Sequence, residues 1–150
     1  KLKERFYIEA AAEYQKRLSR FCKLEVVELP EVRLPDSPSP AQIEQALKKE
    51  AEAIRGKLPP ASSIVALCIE GQTRSSEELA QLLADWAQRG EKCLAFVIGS
   101  SFGLHPSIKS EAWVRLSMSP MTFPHHLARV MLLEQIYRGF QINEGSKYHK

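Results

Sequence analysis

Four histidines, a pair of arginines on one helical stretch and a glycine-bearing loop are the residues of this 150-residue chain best suited to chemistry. His105, His125, His126 and His149 could each move a proton near neutrality. His125 and His126 are adjacent, so on a helix they point about 100° apart and chelate a single metal poorly. No carboxylate or cysteine stands at zinc-ligand spacing from them, and no metal site is expected. At a helix start the dipole disfavours imidazolium, so neutral rings are expected there. The stretch that follows carries Arg129, Glu134, Tyr137 and Arg138, and the chain ends on Lys147, Tyr148, His149 and Lys150. Arg129 and Arg138 are nine apart and do not share one helical stripe. Basic groups mixed with aromatics suit an unstacked RNA base and its phosphates. The same mixture also reads as a solvated helix face followed by a frayed end.

Residues 98–103 read Ile-Gly-Ser-Ser-Phe-Gly. Glycines in such a loop either let backbone approach a ligand closely or serve a tight turn. No Gly-Lys-Ser/Thr follows, and the glycine pair that opens a dinucleotide fingerprint is absent. A nucleoside triphosphate or dinucleotide is therefore not the favoured ligand. No Ser-His-Asp pairing is apparent, and the serines include no nucleophile elbow.

The elements that must position these residues alternate. Apolar spacing predicts a helix over residues 4–21, with Phe6, Ala10, Tyr14, Leu18 and Phe21 on one face. A strand is expected at 23–29, then a proline-rich loop at 30–40. Ser39-Pro40 opens a second helix that runs to about residue 55 and buries Ile43, Leu47 and Ile54. Residues 63–69 read as a strand buried on both faces, and 70–74 as a loop. Ser75 with Glu78 makes a capping box ahead of a helix that buries Leu79, Leu82, Leu83 and Trp86. A second buried strand follows at 93–98, the glycine loop at 99–104 and a short helix at 106–112. A weaker strand at 113–117 and a Ser/Pro/Thr loop at 117–123 lead into a long helix over 124–142 and a polar tail. Such alternation means α/β architecture with a mainly parallel sheet flanked by helices. Ligands of open α/β sheets bind beyond the carboxyl ends of the strands, which points to the loops at 70–74, 99–104 and 117–123.

The bulk properties agree. Net charge is +3, which permits nucleic-acid binding without requiring it. Cys22, Cys68 and Cys93 form no CxxC and read as reduced thiols of a cytosolic protein. No apolar run approaches the roughly 20 residues of a membrane span. The opening KLKER suggests that a first core strand of roughly five or six residues precedes the chain as given.

Three segments, in order, carry a resemblance. The ending MTFPHHLARVMLLEQIYRGFQINEGSKYHK (121–150), VIGSSFGLH (97–105) and LCIEGQTRSSEELA (67–80) resemble the ribosomal RNA large subunit methyltransferase H family. That family belongs to the SPOUT, or α/β-knot, methyltransferases. The resemblance covers essentially the whole chain and implies one domain over 1–150, with a C-terminal deep trefoil knot that no periodicity could reveal. It implies S-adenosylmethionine as cofactor, contacted by Leu67, Gly99, Met118, Ser119, Pro120, Met121, Thr122 and Phe123. It further implies a cytoplasmic homodimer, with Leu132, Leu133 and Ile136 packing either at its interface or in the protomer core. The implied reaction is methylation of N3 of a pseudouridine in a 23S rRNA stem-loop on the assembled ribosome. His125, Tyr148 and His149 are then the base or positioning candidates, and Arg129 and Arg138 stabilise the developing anion or grip phosphate. Ser100 departs from the family's Gly-Gly after the third strand. That departure is the one sequence hint of a ribosome-binding factor that has lost catalysis, and the residues read without the resemblance would end at a small-molecule-binding α/β protein.

Overall fold

The computed structural model describes residues 4–149. In chain order they form α1 (Arg5–Leu18), α2 (Pro40–Lys57), β1 (Ser62–Thr73), α3 (Ser76–Gln88), β2 (Cys93–Ile98), α4 (Pro106–Glu111), β3 (Val114–Ser117) and α5 (His125–Asn143). The residues cluster into two units, each discontinuous in sequence: 27–72 with 91–121, and the segment before 27 with 73–90 and 122 onward.

The first unit is the sheet with α2 and α4. Strand order is β2-β1-β3, and β1 pairs with β2 in parallel from Ser62↔Cys93 to Leu67↔Ile98. The central strand is apolar without alternation, and Ile64, Val65 and Ala66 are all buried, as a strand covered on both faces requires. Ile64, Ala66 and Val97 share a core with Ala51 of α2 and Leu104 and Ile108 at α4. The start of α2 is set by Ser39, whose hydroxyl accepts from the Gln42 N–H while the Gln42 side chain accepts from the Ser39 N–H.

Two expectations fail in this unit or at its border. β1 does not stop before residue 70; it continues to Thr73. Gly71 explains why: a Cβ there would lie 2.8 Å from the Arg115 carbonyl and 2.9 Å from that of Leu116, so only a bare backbone can run so close to β3. Residues 23–29 form no strand. Val26 and Val27 are 37% and 46% exposed, and among the described residues no ladder partner takes up their main chain. Branched side chains favour a strand only where a neighbouring strand and a buried face are supplied.

The second unit is helical: α5 packs against both α1 and α3. α3 begins at Ser75 with the expected capping box, the hydroxyl accepting from Glu78 N–H and the Glu78 carboxylate from Ser75 N–H. Leu79, Leu82 and Leu83 are buried as expected, whereas Trp86 is only half-buried. Gly139 lets α5 approach α3 closely, since a Cβ there would meet Leu83 Cδ1 at 2.8 Å. Leu132, Leu133 and Ile136 are 5%, 4% and 6% exposed, which assigns them to the protomer core and removes them as surface residues for a dimer contact.

α5 ends in a paired cap. Ser146 N–H donates to the Gln141 carbonyl at 3.1 Å and Gly145 N–H to Ile142 at 2.9 Å, with Gly145 at φ 73°. This left-handed turn sends the tail back along the helix instead of letting it fray. A side chain in that conformation costs roughly 1–2 kcal/mol. Gly145→Val should therefore lower unfolding stability by about that amount and raise amide exchange at 146–149; unchanged exchange there would show that the turn does not direct the tail.

Candidate active site

Three segments meet the ends of the strands. Leu67 closes the β1–β2 ladder opposite Ile98, and Gly99 is the next residue of β2's exit. The loop beyond it closes on itself: Gly103 N–H donates to Ser100 O at 2.9 Å, and Gly103 holds φ at 86°. A Cβ on Gly99 would lie 2.4 Å from the Gly103 carbonyl oxygen, so glycine is demanded by this closure. Ser100 sits comfortably, for it is not among the described residues with positive φ. Its hydroxyl donates to Glu50 Oε1 at 2.8 Å, and Glu50 Oε2 accepts from Val32 N–H at 3.0 Å. The departure at this position thus pins the loop to α2 and gives no ground for reading a lost activity.

The third segment leaves β3. Ser117 Oγ donates to Ser119 O at 3.1 Å, and Ser119 Oγ accepts from Met121 N–H at 3.0 Å. Side chains alone hold this turn. Between 118 and 123 the main chain makes no backbone–backbone hydrogen bond among the described residues. Apart from the Ser119 carbonyl and the Met121 N–H, which these side chains take up, and Pro120, which has no N–H, main-chain groups remain here that can read the edge of a flat heterocycle.

The helical unit carries a second constellation, built on the C-terminal half of α5 and the tail. Glu134 and Arg138, one turn apart, pair side-on: Nε to Oε1 at 3.1 Å and Nη2 to Oε2 at 3.0 Å. Tyr148 Oη donates to Glu134 Oε2 at 2.8 Å, and Gln135 Nε2 to Oε1 at 3.1 Å. The carboxylate's acceptor sites are thereby filled. The Arg138 guanidinium lies over the Tyr148 ring at 4.8 Å, and its Nη1 donates to His149 Nδ1 at 3.1 Å. His149 Nε2 is 3.0 Å from Glu77 Oε2. Tyr137 packs edge-on against Tyr148 at 4.9 Å. Of the sequence candidates, this brings Arg138, Tyr148 and His149 together. Glu134 has no role assigned by the sequence alone; its spacing to Arg138, four residues on, is the available signal. Glu77 had no signal, since nothing in the sequence says that the tail returns to α3.

Burial, then the hydrogen bond and charge of Glu134, push the Tyr148 phenol up to about 12. Tyr148 is therefore a donor at neutral pH and not a base. The folded value lies above the unfolded ~10, so the phenol's contribution to stability is whole below pH ~10 and is lost as pH rises through about 12. Urea unfolding across that window should show a decline that Tyr148→Phe flattens; parallel curves would contradict the placement.

The other histidines make different contacts. His125 and His126 open α5 with ring centroids 4.3 Å apart, and His126 also meets Tyr7 edge-on at 6.0 Å. Burial, then the neighbouring His125, hold His126 below the usual histidine range, in line with the neutral ring expected. His105 forms a Ser–His–Glu chain that sequence spacing conceals: Nδ1 is 2.7 Å from Ser107 Oγ and Nε2 is 2.9 Å from Glu44 Oε1. It is a helix cap. Nδ1 accepts the Ser107 N–H at 3.1 Å, and Arg55 occupies the Ser107 hydroxyl at 2.6 Å. Among the described residues no group of three or more His, Cys, Asp or Glu could hold a metal ion, and no helix is long and apolar enough to cross a membrane.

A parallel β1–β2 pair with loops at its strand exits is the α/β arrangement in which ligands bind beyond the carboxyl ends of the strands. Residues 1–149 match the family described as "Predicted SPOUT methyltransferase". The chain is 47% identical to Ribosomal RNA large subunit methyltransferase H of Streptococcus suis over 150 residues, covering 100% of this chain and 94% of that protein. The proteins of the same name from Ligilactobacillus salivarius and Clostridioides difficile are 46% and 45% identical at the same coverage. The chain belongs to the SPOUT methyltransferase family, and its chemistry is methyl transfer from a methyl donor.

Proposed function

We propose that the protein transfers the methyl group of S-adenosylmethionine to N3 of a pseudouridine in a stem-loop of 23S rRNA on the assembled ribosome. It works as a cytoplasmic homodimer, one catalytic domain per chain, with the family's C-terminal knot. The observation that carries this reading is full-length similarity to relatives named for ribosomal RNA large-subunit methylation.

The residues present fit the cofactor. The main-chain groups at 118–123 other than the Ser119 carbonyl and the Met121 N–H suit adenine, and Gly99 and Leu67 stand at the ends of β2 and β1. Met118, Ser119, Pro120, Met121, Thr122 and Phe123 would hold it chiefly through backbone. When bound, S-adenosylmethionine supplies an electrophilic methyl carbon. The pseudouridine N3 carries an imide proton and becomes nucleophilic as that proton leaves, so the protein must align the ring and stabilise its growing negative charge. Arg138 is suited to the second task. Of the five N–H donors of a guanidinium, three are engaged by Glu134 and His149, leaving two for an anion. Tyr148 keeps its proton and positions Glu134 and Arg138. His149 has both ring nitrogens committed, which leaves His125 as the remaining histidine candidate for base and Arg129 for gripping phosphate. His125 opens α5 roughly 20 Å along the helix from Arg138, so the two would serve one pseudouridine only from different subunits of the homodimer.

Mass spectrometry of 23S rRNA from a strain lacking this protein tests the assignment. Loss of an N3-methyl from one pseudouridine is expected; a modification map identical to the parent's would overturn it.

A further inference from the structure

Glu77 lies in the first turn of α3, and nothing in the reaction described so far uses it. Its Oε2 is 3.0 Å from His149 Nε2, while His149 Nδ1 is 3.1 Å from Arg138 Nη1. A guanidinium only donates, so Nδ1 must offer its lone pair. A ring that accepts at Nδ1 carries its proton on Nε2, and the Glu77 carboxylate accepts that proton's hydrogen bond. One neutral tautomer satisfies both partners. The other tautomer would set an N–H against the Arg138 N–H and a lone pair against the carboxylate.

We propose that Glu77 is a positioning residue for methyl transfer. By holding the His149 proton on Nε2, it keeps Nδ1 available to Arg138 and so completes the clamp that Glu134 begins. Arg138 is then held from two sides by fixed acceptors, with one uncommitted N–H left on each of Nη1 and Nη2. The inference rests on the methyl-transfer reading and adds to it the residue that sets the arginine's aim.

A purely structural role is disfavoured by exposure. The Glu77 side chain is 66% exposed, and pairs at such sites contribute little to stability. The groups facing His149 are Glu77 from α3 and Arg138 from α5; Glu134 and Tyr148 adjoin through Arg138. Among these, Glu77 is the one acceptor at Nε2.

The test uses the full chain and three variants. Glu77→Ala removes the acceptor. Glu77→Asp keeps the negative charge at the α3 N-terminus but is one methylene too short to reach. Glu77→Gln retains an acceptor oxygen. Nitrogen-15 NMR of the His149 ring, recorded without substrate, should report the Nε2–H tautomer in the parent and in Glu77→Gln, and a tautomer mixture in the other two. Turnover on ribosomes should fall by roughly tenfold to a hundredfold in the Ala and Asp variants, as when an outer partner orienting a functional histidine is lost. The Gln variant should retain most of the parental kcat, and KM for S-adenosylmethionine should stay within about twofold throughout. A parental tautomer in Glu77→Ala, or a kcat loss in Gln equal to that in Ala, would overturn the proposal. A parent that turns over no substrate but shows the tautomer dependence would instead count against the methyl-transfer reading alone.

Discussion

Arg138→Ala is expected to slow methyl transfer to ribosomal RNA by about 10²–10³-fold, the loss that follows removal of one preorganised donor to a developing anion. Two effects add. The two guanidinium donors proposed to meet the developing anion disappear, and Glu134, with 18% of its side chain exposed, loses its bidentate partner. Arg138→Lys should recover little, because an ammonium cannot make the side-on pair to both Glu134 oxygens while also reaching His149. Cofactor affinity, measured by calorimetry, should change by no more than about twofold, since the loss concerns charge that appears only as the reaction proceeds. A variant that methylates at the parental rate would remove Arg138 from the reaction; one that loses cofactor binding in proportion would reassign it to the cofactor.

The second large effect is predicted at Gly99. A methyl group there falls 2.4 Å from the Gly103 carbonyl oxygen and 2.5 Å from its carbon, and both are backbone atoms that no rotamer change can move. Gly99→Ala must open the Ser100–Gly103 turn, and overpacking of this kind costs about 1–3 kcal/mol of stability. S-adenosylmethionine binding should weaken by tenfold or more, because about 1.4 kcal/mol of displaced loop geometry is already a factor of ten. Ser100→Ala makes the contrast: it loses the Glu50 hydrogen bond and keeps the turn, so its effect should be several times smaller. Equal affinities for the parent and Gly99→Ala would show that this exit does not touch the cofactor.

The elements were legible where local rules decide them. The apolar run of β2 appeared at its observed bounds, and the Ser75 capping box fixed the start of α3. Failures lie where a partner distant in sequence decides. Residues 23–29 have strand-forming side chains and no described strand to pair with. β1 outruns its expected end because Gly71 admits the backbone of β3. The tail reads as polar and frayed, yet Gly145 turns it back and Tyr148 and His149 become half-buried on α5 and α3. The site divides in the same way. The family resemblance singles out Arg138, Tyr148 and His149, while the groups that orient them, Glu134 and Glu77, are defined by the fold of the chain end.

The most direct measurement is transfer of labelled methyl from S-adenosylmethionine to ribosomes purified from a strain that lacks this protein. Label is expected in 23S rRNA, located by nuclease digestion and mass spectrometry to N3 of a pseudouridine, with little label for Arg138→Ala. Ribosomes that accept methyl from a related enzyme but remain unlabelled by this protein, with cofactor bound, would contradict it.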